Sequence, residues 1–229
     1  MATTTAKKVV NKFTSRLTKV GGYYGELILA VNLKRHQAAL ETMLAEQFVF
    51  NIVVFWEVFL NELLLTYLVA SPKRFLSNLK DRMGQSVKER YGGGAAQMLK
   101  FNSPRSISLA KAAALADPKD FNLTAESADQ LTKRANDLLE AKFAKPFTLD
   151  PDDAQFLDYL VCLRNFLAHR STSSRNKLRI AVSALQNSNN DLNGSISNIG
   201  TYLKTTNTSN KTRALIISER MVQIANKLV

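Results

Sequence analysis

Residues 47–70, QFVFNIVVFWEVFLNELLLTYLVA, contain neither glycine nor proline and are apolar over most of their length. A chain carrying such a segment must either pass it through a membrane or wrap it in the rest of the fold. Glu57, Asn61 and Glu62 lie near the middle of the run. Each carboxylate there costs about 2.5–3.5 kcal/mol on insertion, against about 0.3–0.6 kcal/mol gained per apolar residue. The sum does not favour insertion, so the reading is a buried helix of a soluble protein, with no membrane span. Residues 24–70 as a whole hold one glycine and no proline, and predict one very long helix or two in tandem.

The other segments repeat the pattern. Val9, Val10, Phe13, Leu17 and Val20 recur at helical spacing, with Lys7, Lys8, Lys12, Arg16 and Lys19 on the opposite face. Residues 1–22 therefore read as a basic amphipathic N-terminal helix, ended by Gly21-Gly22. Ser71-Pro72 resembles an N-cap followed by proline at the first helical position, opening a basic amphipathic segment over 72–90. The run YGGGAAQ at 91–97 lacks the Gly-Lys-Ser/Thr of a phosphate loop and reads as a turn. Further helices are predicted from Ser103-Pro104, from Thr124 through Leu139 towards Phe143, over 175–187 and over 211–229. Residues 187–210 read as a polar loop with a short helical turn at 196–203. Only 9 glycines and 5 prolines in 229 residues favour long regular elements over a turn-rich β architecture. The expectation is an all-α chain, one domain over 1–229, with 71–123 as an insertion or accessory helices.

Lys and Arg outnumber Asp and Glu by 31 to 19, a net charge of +12. Such a surface favours polyanions: nucleic acid, anionic lipid or an acidic protein. Cys162 is the single cysteine, and His36 and His169 are the two histidines. One thiol excludes an internal disulfide, and no metal centre is indicated by so few soft ligands. Cys162 reads as a small packed side chain and His36 as a surface residue. The N-terminus lacks the apolar core of a signal peptide, which points to the cytoplasm.

The best-signalled helix is TLDPDDAQFLDYLVCLRNFLAHR, at 148–170. Asp150 is the N-cap, Pro151 the first helical residue, and Asp152 and Asp153 complement the dipole in the first turn. Phe156, Leu160, Leu163 and Leu167 form its core stripe. Asp158, Asn165 and His169 share another face within about 40°, whereas Arg164 lies roughly 140° from His169. An intact helix therefore does not bring Arg164 and His169 of one chain together. Either the helix unwinds before His169, or a second copy completes the site.

The chemistry of that pair suits RNA. The 2′-hydroxyl supplies an internal nucleophile. An imidazole, with an unperturbed pKa near 6.5, can take that proton or protonate the leaving 5′-oxygen. A guanidinium offers a fixed fork to the phosphoryl oxygens as charge builds, and Asn165 would orient the imidazole or donate to the phosphate. Arg170, Arg175, Lys177 and Arg179 follow closely and would hold RNA phosphates.

Arg164-Asn165 followed by His169, an arginine with a polar neighbour and a histidine four to six residues on, resembles the signature of the HEPN superfamily. The helix carrying Trp56-Glu57 within FWEVFLNELLLTYL is similar to an early HEPN helix, with Glu57 as a possible auxiliary group. The resemblance covers residues 40–70 and 150–170. It implies an all-α, HEPN-like helical bundle with additional helices, a homodimer with the motif at its interface, and a metal-independent endoribonuclease with no cofactor. The implied setting is a toxin–antitoxin, abortive-infection or antiviral-defence system, with RNA as substrate and an antitoxin or defence-system protein as a further partner. Noncatalytic HEPN domains imply the alternative: a nucleotide-, nucleic-acid- or partner-binding module.

Overall fold

The computed structural model describes residues 2–32, 34–101, 104–117, 123, 125–185, 190–192, 194–206 and 210–229. The chain is all-α. The only extended pairing among the described residues is a single bridge between Thr206 and Thr212.

Two long helices form the frame, α1 (Ala2–Val31) and α2 (Gln37–Ala70). They are joined through His36, which takes the left-handed conformation at φ 67° and whose carbonyl accepts from the N–H groups of Ala39 and Leu40. Gly21-Gly22 does not end α1, contrary to the sequence reading. Each glycine weakens a helix by about 1 kcal/mol relative to alanine, and packing on α2 offsets that on both sides of the pair. Before it, Phe13 stacks on Phe59 at 4.4 Å; after it, Tyr24 stacks on Phe48 at 4.5 Å. Within α2, Phe48, Ile52, Trp56, Phe59, Leu63, Leu64 and Leu68 are buried on more than one face. The helix is long and apolar enough to cross a membrane by length and composition, and 56% of its most apolar stretch is buried inside this fold.

Past Ser71 come α3 (Lys73–Tyr91) and α4 (Gly93–Met98). Ser71 is not the expected cap: its hydroxyl donates to Glu140 Oε1, and Pro72 offers its carbonyl to Leu76 N at 2.9 Å. The 91–97 run turns at Gly92, where φ is 86°, and then re-enters a helix. Next is α5 (Leu109–Ala116), capped by Ser108 and not at Pro104, which stays outside any helix; Ser103 lies outside the described residues. α6 (Ala128–Leu138) is capped by Ser127 Oγ, accepting from Gln130 N, and by Asp158 Oδ1, accepting from Ala128 N at 2.8 Å. The expected start, Thr124, also lies outside the described residues. α6 stops short of Phe143, which belongs to a separate turn, α7 (Ala141–Ala144).

α8 (Pro151–His169) begins as read: Asp150 Oδ1 accepts from Asp153 N at 2.8 Å, with Pro151 first in the helix. α9 (Thr172–Leu185), α10 (Ile199–Lys204) and α11 (Arg213–Lys227) complete the chain. Helices α1, α5, α6, α8, α10 and α11 all pack on α2. One apolar cluster runs through them from Ala6 to Leu228.

Two close contacts fix the periphery. Gly200 brings α10 against α2 so tightly that a Cβ there would stand 2.2 Å from Thr42 Cγ2 and 2.8 Å from the Thr42 carbonyl. Asp153, 1% exposed as a side chain, is held between Arg220 at 2.6 Å and Lys227 at 2.5 Å, tying α11 to the start of α8. Asp150 also meets Lys227, at 3.0 Å. Its carboxyl is held below the usual range, first by the Asp153 N–H and then by Lys227.

Gly200→Ala is expected to cost about 1–3 kcal/mol through overpacking against a backbone carbonyl, read from the urea midpoint. For the ion cluster, Arg220→Met is expected to cost about 3 kcal/mol, because it leaves a buried carboxylate short of charge. Asp153→Leu should cost about 1 kcal/mol or less, since both cations reach water once freed. The reverse order of these two losses would sink this account of the cluster. The Asp150 contribution is present above its unfolded pKa of about 3.9 and fades as pH falls through the lower folded value. Wild type should therefore lose more stability than Asp150→Asn does between about pH 5 and about pH 3.

Candidate functional site

α2 and α8 lie antiparallel, and the charges at their seam show the register. Glu46 and Glu57 are three turns apart on α2, within about 20° of one face. Glu57 pairs with Arg164 near the last turn-and-a-half of α8, and Glu46 with Arg170 just beyond its end. The Arg164 Nε stands 3.3 Å from Glu57 Oε1, an ion pair without hydrogen-bond geometry, while NH1 donates to Asn165 Oδ1 at 3.1 Å. The Arg164 and Glu57 side chains are 36% and 26% exposed. Burial raises the Glu57 carboxyl above its ordinary value, and Arg164 only partly offsets this.

α8 does not unwind before His169. Helical geometry persists to that residue, and Arg170 then turns left-handed at φ 51°, its N–H donating to the Phe166 carbonyl at 2.9 Å. Arg164 and His169 thus stay about 140° apart around the axis and roughly 7.5 Å apart along it. Of the two routes that would unite them, the local one is closed. His169 is exposed, and its imidazole has no hydrogen bond or ion pair among the described residues. Asn165 spends its oxygen on Arg164, so in this chain it orients the arginine and not the histidine.

The cations after the motif divide into two groups. Arg170 is committed to Glu46 and lies 5.4 Å from the centre of the Phe166 ring. Arg175 lies over the same ring at 5.6 Å. Lys177 and Arg179 project from α9 without an ion pair among the described residues. The sequence reading missed Glu46. The signal was present, since Glu46 and Glu57 are in phase on a largely apolar stretch of α2, where carboxylates call for partners.

Beside the end of α8 a groove of about 310 Å³ is lined by Met43, Glu46, Phe50, Leu167, Ala168 and Arg170, among others. Met43 is 58% exposed. A second groove, of about 330 Å³, lies between α8 and α9 over Asp158, Cys162, Ile180 and Ala184. Burial, followed by the neighbouring Asp158, raises the Cys162 thiol, which opposes a thiolate role. A cavity of about 540 Å³ between α3, α5 and α6 carries charges of both signs, Arg82 and Lys133 with Asp117 and Asp137. Among the described residues no three His, Cys, Asp or Glu side chains converge as metal ligands do.

Neither a protein-family model, nor a curated protein, nor a solved structure matches this chain.

Because burial raises Glu57 more than Arg164 lowers it, the pair adds little to the fold. Glu57→Gln is expected to leave stability within about 1 kcal/mol of wild type, measured by urea denaturation.

Proposed function

We propose that the protein is a metal-independent endoribonuclease of HEPN type, built as a homodimer in which each active site takes Arg164 from one copy and His169 from the other. One observation carries this reading: an exposed imidazole without a partner, at the end of an intact helix that also carries an arginine fixed by Glu57 and Asn165. Within one copy the two groups cannot converge on a single phosphate. A two-fold arrangement along α8 supplies the missing proximity, and a two-fold interface is the commonest oligomeric solution. The groove lined by Met43, Phe50, Leu167 and Ala168 offers apolar surface for such a contact, directly beside His169.

In this mechanism Arg164 arrives preorganised. Its guanidinium is anchored at one edge by Glu57 and Asn165 and stabilises the phosphorane charge with the remainder. His169 of one copy removes the 2′-hydroxyl proton, and the 2′-oxygen attacks the adjacent phosphorus. The same imidazolium returns that proton to the departing 5′-oxygen, leaving a 2′,3′-cyclic phosphate and a 5′-hydroxyl. Lys177 and Arg179 would hold flanking phosphates.

A second reading rests on the Glu57–Arg164 pair. That ion pair accounts for Arg164 within one chain, as in a noncatalytic binding module.

Both readings meet in one experiment on total RNA in EDTA. His169→Ala and Arg164→Ala are each expected to abolish cleavage. Mixed and re-equilibrated, they should regain about a quarter of wild-type activity, because half of the dimers formed are mixed and each of these holds one intact site of two. Undiminished cleavage by His169→Ala would remove the histidine from the mechanism. Two inactive variants that fail to complement would place both residues in one copy's site, against the geometry above.

A further inference from the structure

From Ser77 to Lys100 no residue is buried. α3 is held on one side by Phe75, Leu76 and Leu79, by Asn78 donating to the Asp137 carbonyl and by Arg82 beside α6; its other side, its outer end, the turn at Gly92 and α4 form an exposed arm. The core stripe of α3 does not stop where burial stops. Leu76 and Leu79 lead on to Met83, Val87 and Tyr91 at successive helical turns, with Met83 41% and Tyr91 68% exposed. Met98 on α4 is 82% exposed.

Charge is arranged to match. Residues 73–100 hold seven cations (Lys73, Arg74, Lys80, Arg82, Lys88, Arg90 and Lys100) against Asp81 and Glu89, a net +5 of the chain's +12. Lys80 and Arg90 fall inside the Leu79–Tyr91 stripe, whereas Asp81 and Glu89 lie roughly 140° from its centre. Lys80, Arg82, Lys88 and Arg90 form no ion pair among the described residues. One face thus presents cations interleaved with an exposed aromatic ring, and the carboxylates are turned away from it.

We infer that this arm is a binding surface for single-stranded RNA, separate from the cleavage site, with Lys80 and Arg90 on phosphates and a base stacked on Tyr91. Its ligand rests on the ribonuclease reading above. A lipid surface fits less well, because an interfacial helix needs a broad apolar face and here Val87 is half-buried, leaving Met83 and Tyr91. Single-strand binding needs only a cationic track with a ring.

The test is fluorescence anisotropy with a long labelled oligouridylate, using His169→Ala protein so that binding is read without cleavage and failure of the nuclease reading leaves the result interpretable. Lys80→Gln/Arg90→Gln is expected to make the dependence of log affinity on log salt shallower by about 1.4 for the long probe. Tyr91→Ala is expected to weaken binding about ten-fold. Lys7→Gln/Lys19→Gln, on exposed positions of α1, is the control. An equal loss in the control would overturn the proposal in favour of diffuse charge, as would unchanged binding in the arm variants. Sedimentation with phosphatidylglycerol vesicles that depends on the arm, with RNA binding intact, would reassign the surface to lipid.

Discussion

The fold depends on burying α2. Its apolar residues occupy more than one side of the helix, so no single neighbour can cover it. α1 takes one side over most of its length; α8, α6 and α5 take another; α10 and α11 close the remainder. The order of helices along the chain follows from that need more than from local signals. It also explains how α1 tolerates three glycines and why α10, a helix of six residues, is stable at all. Gly200 lets α10 sit directly on the α2 backbone, and Lys204 then reaches the Ala38 carbonyl and Glu41, each at 3.0 Å.

A helix so apolar makes its few charges consequential. Glu46 and Glu57 are the two carboxylates that α2 turns towards α8, and each meets an arginine there. The cost of holding Glu57 charged at a half-buried seam is visible in its raised pKa. A chain selected for stability alone would do as well with a neutral residue. What the carboxylate adds is orientation: together with Asn165 it fixes the direction of the Arg164 fork. A fixed guanidinium reaches a phosphate without first giving up side-chain freedom.

Local chemistry was legible where one residue had one job. Asp150 and Pro151 open α8 as their types demand, and the stripe of Phe156, Leu160, Leu163 and Leu167 is buried as its period requires. The same kinds of signal failed where tertiary contacts competed. Gly21-Gly22 has the form of a helix stop, yet aromatic stacking carries α1 across it. Ser71 has the form of a cap, yet Glu140, sixty-nine residues on, takes its hydroxyl. Asp158 was read only as part of a face shared with Asn165 and His169, and it proves to be a second cap for α6. Glu140 and Ala128 lie far from these residues in sequence, so no local pattern names them. At the candidate site the residue types and the angular conflict between Arg164 and His169 were readable. The anchors Glu46 and Glu57 needed the α2–α8 register, which only packing fixes.

The angular conflict is itself the strongest constraint on function. α8 is stabilised at both ends, by Asp150 and its neighbours at the start and by the left-handed Arg170, paired with Glu46, at the finish. Unwinding the last turn to swing His169 towards Arg164 would break the Arg170–Glu46 pair, expose Phe166 and Leu167, and forfeit the backbone bonds of that turn. Burial of two large apolar side chains alone is worth about 3–6 kcal/mol, more than a single bound phosphate contact returns. Chemistry that used both residues would therefore have to arrive from outside the copy, along a helix kept straight. On the proposed reading, the pairing that stiffens the end of α8 serves the site: it keeps His169 exposed, where a second copy can meet it.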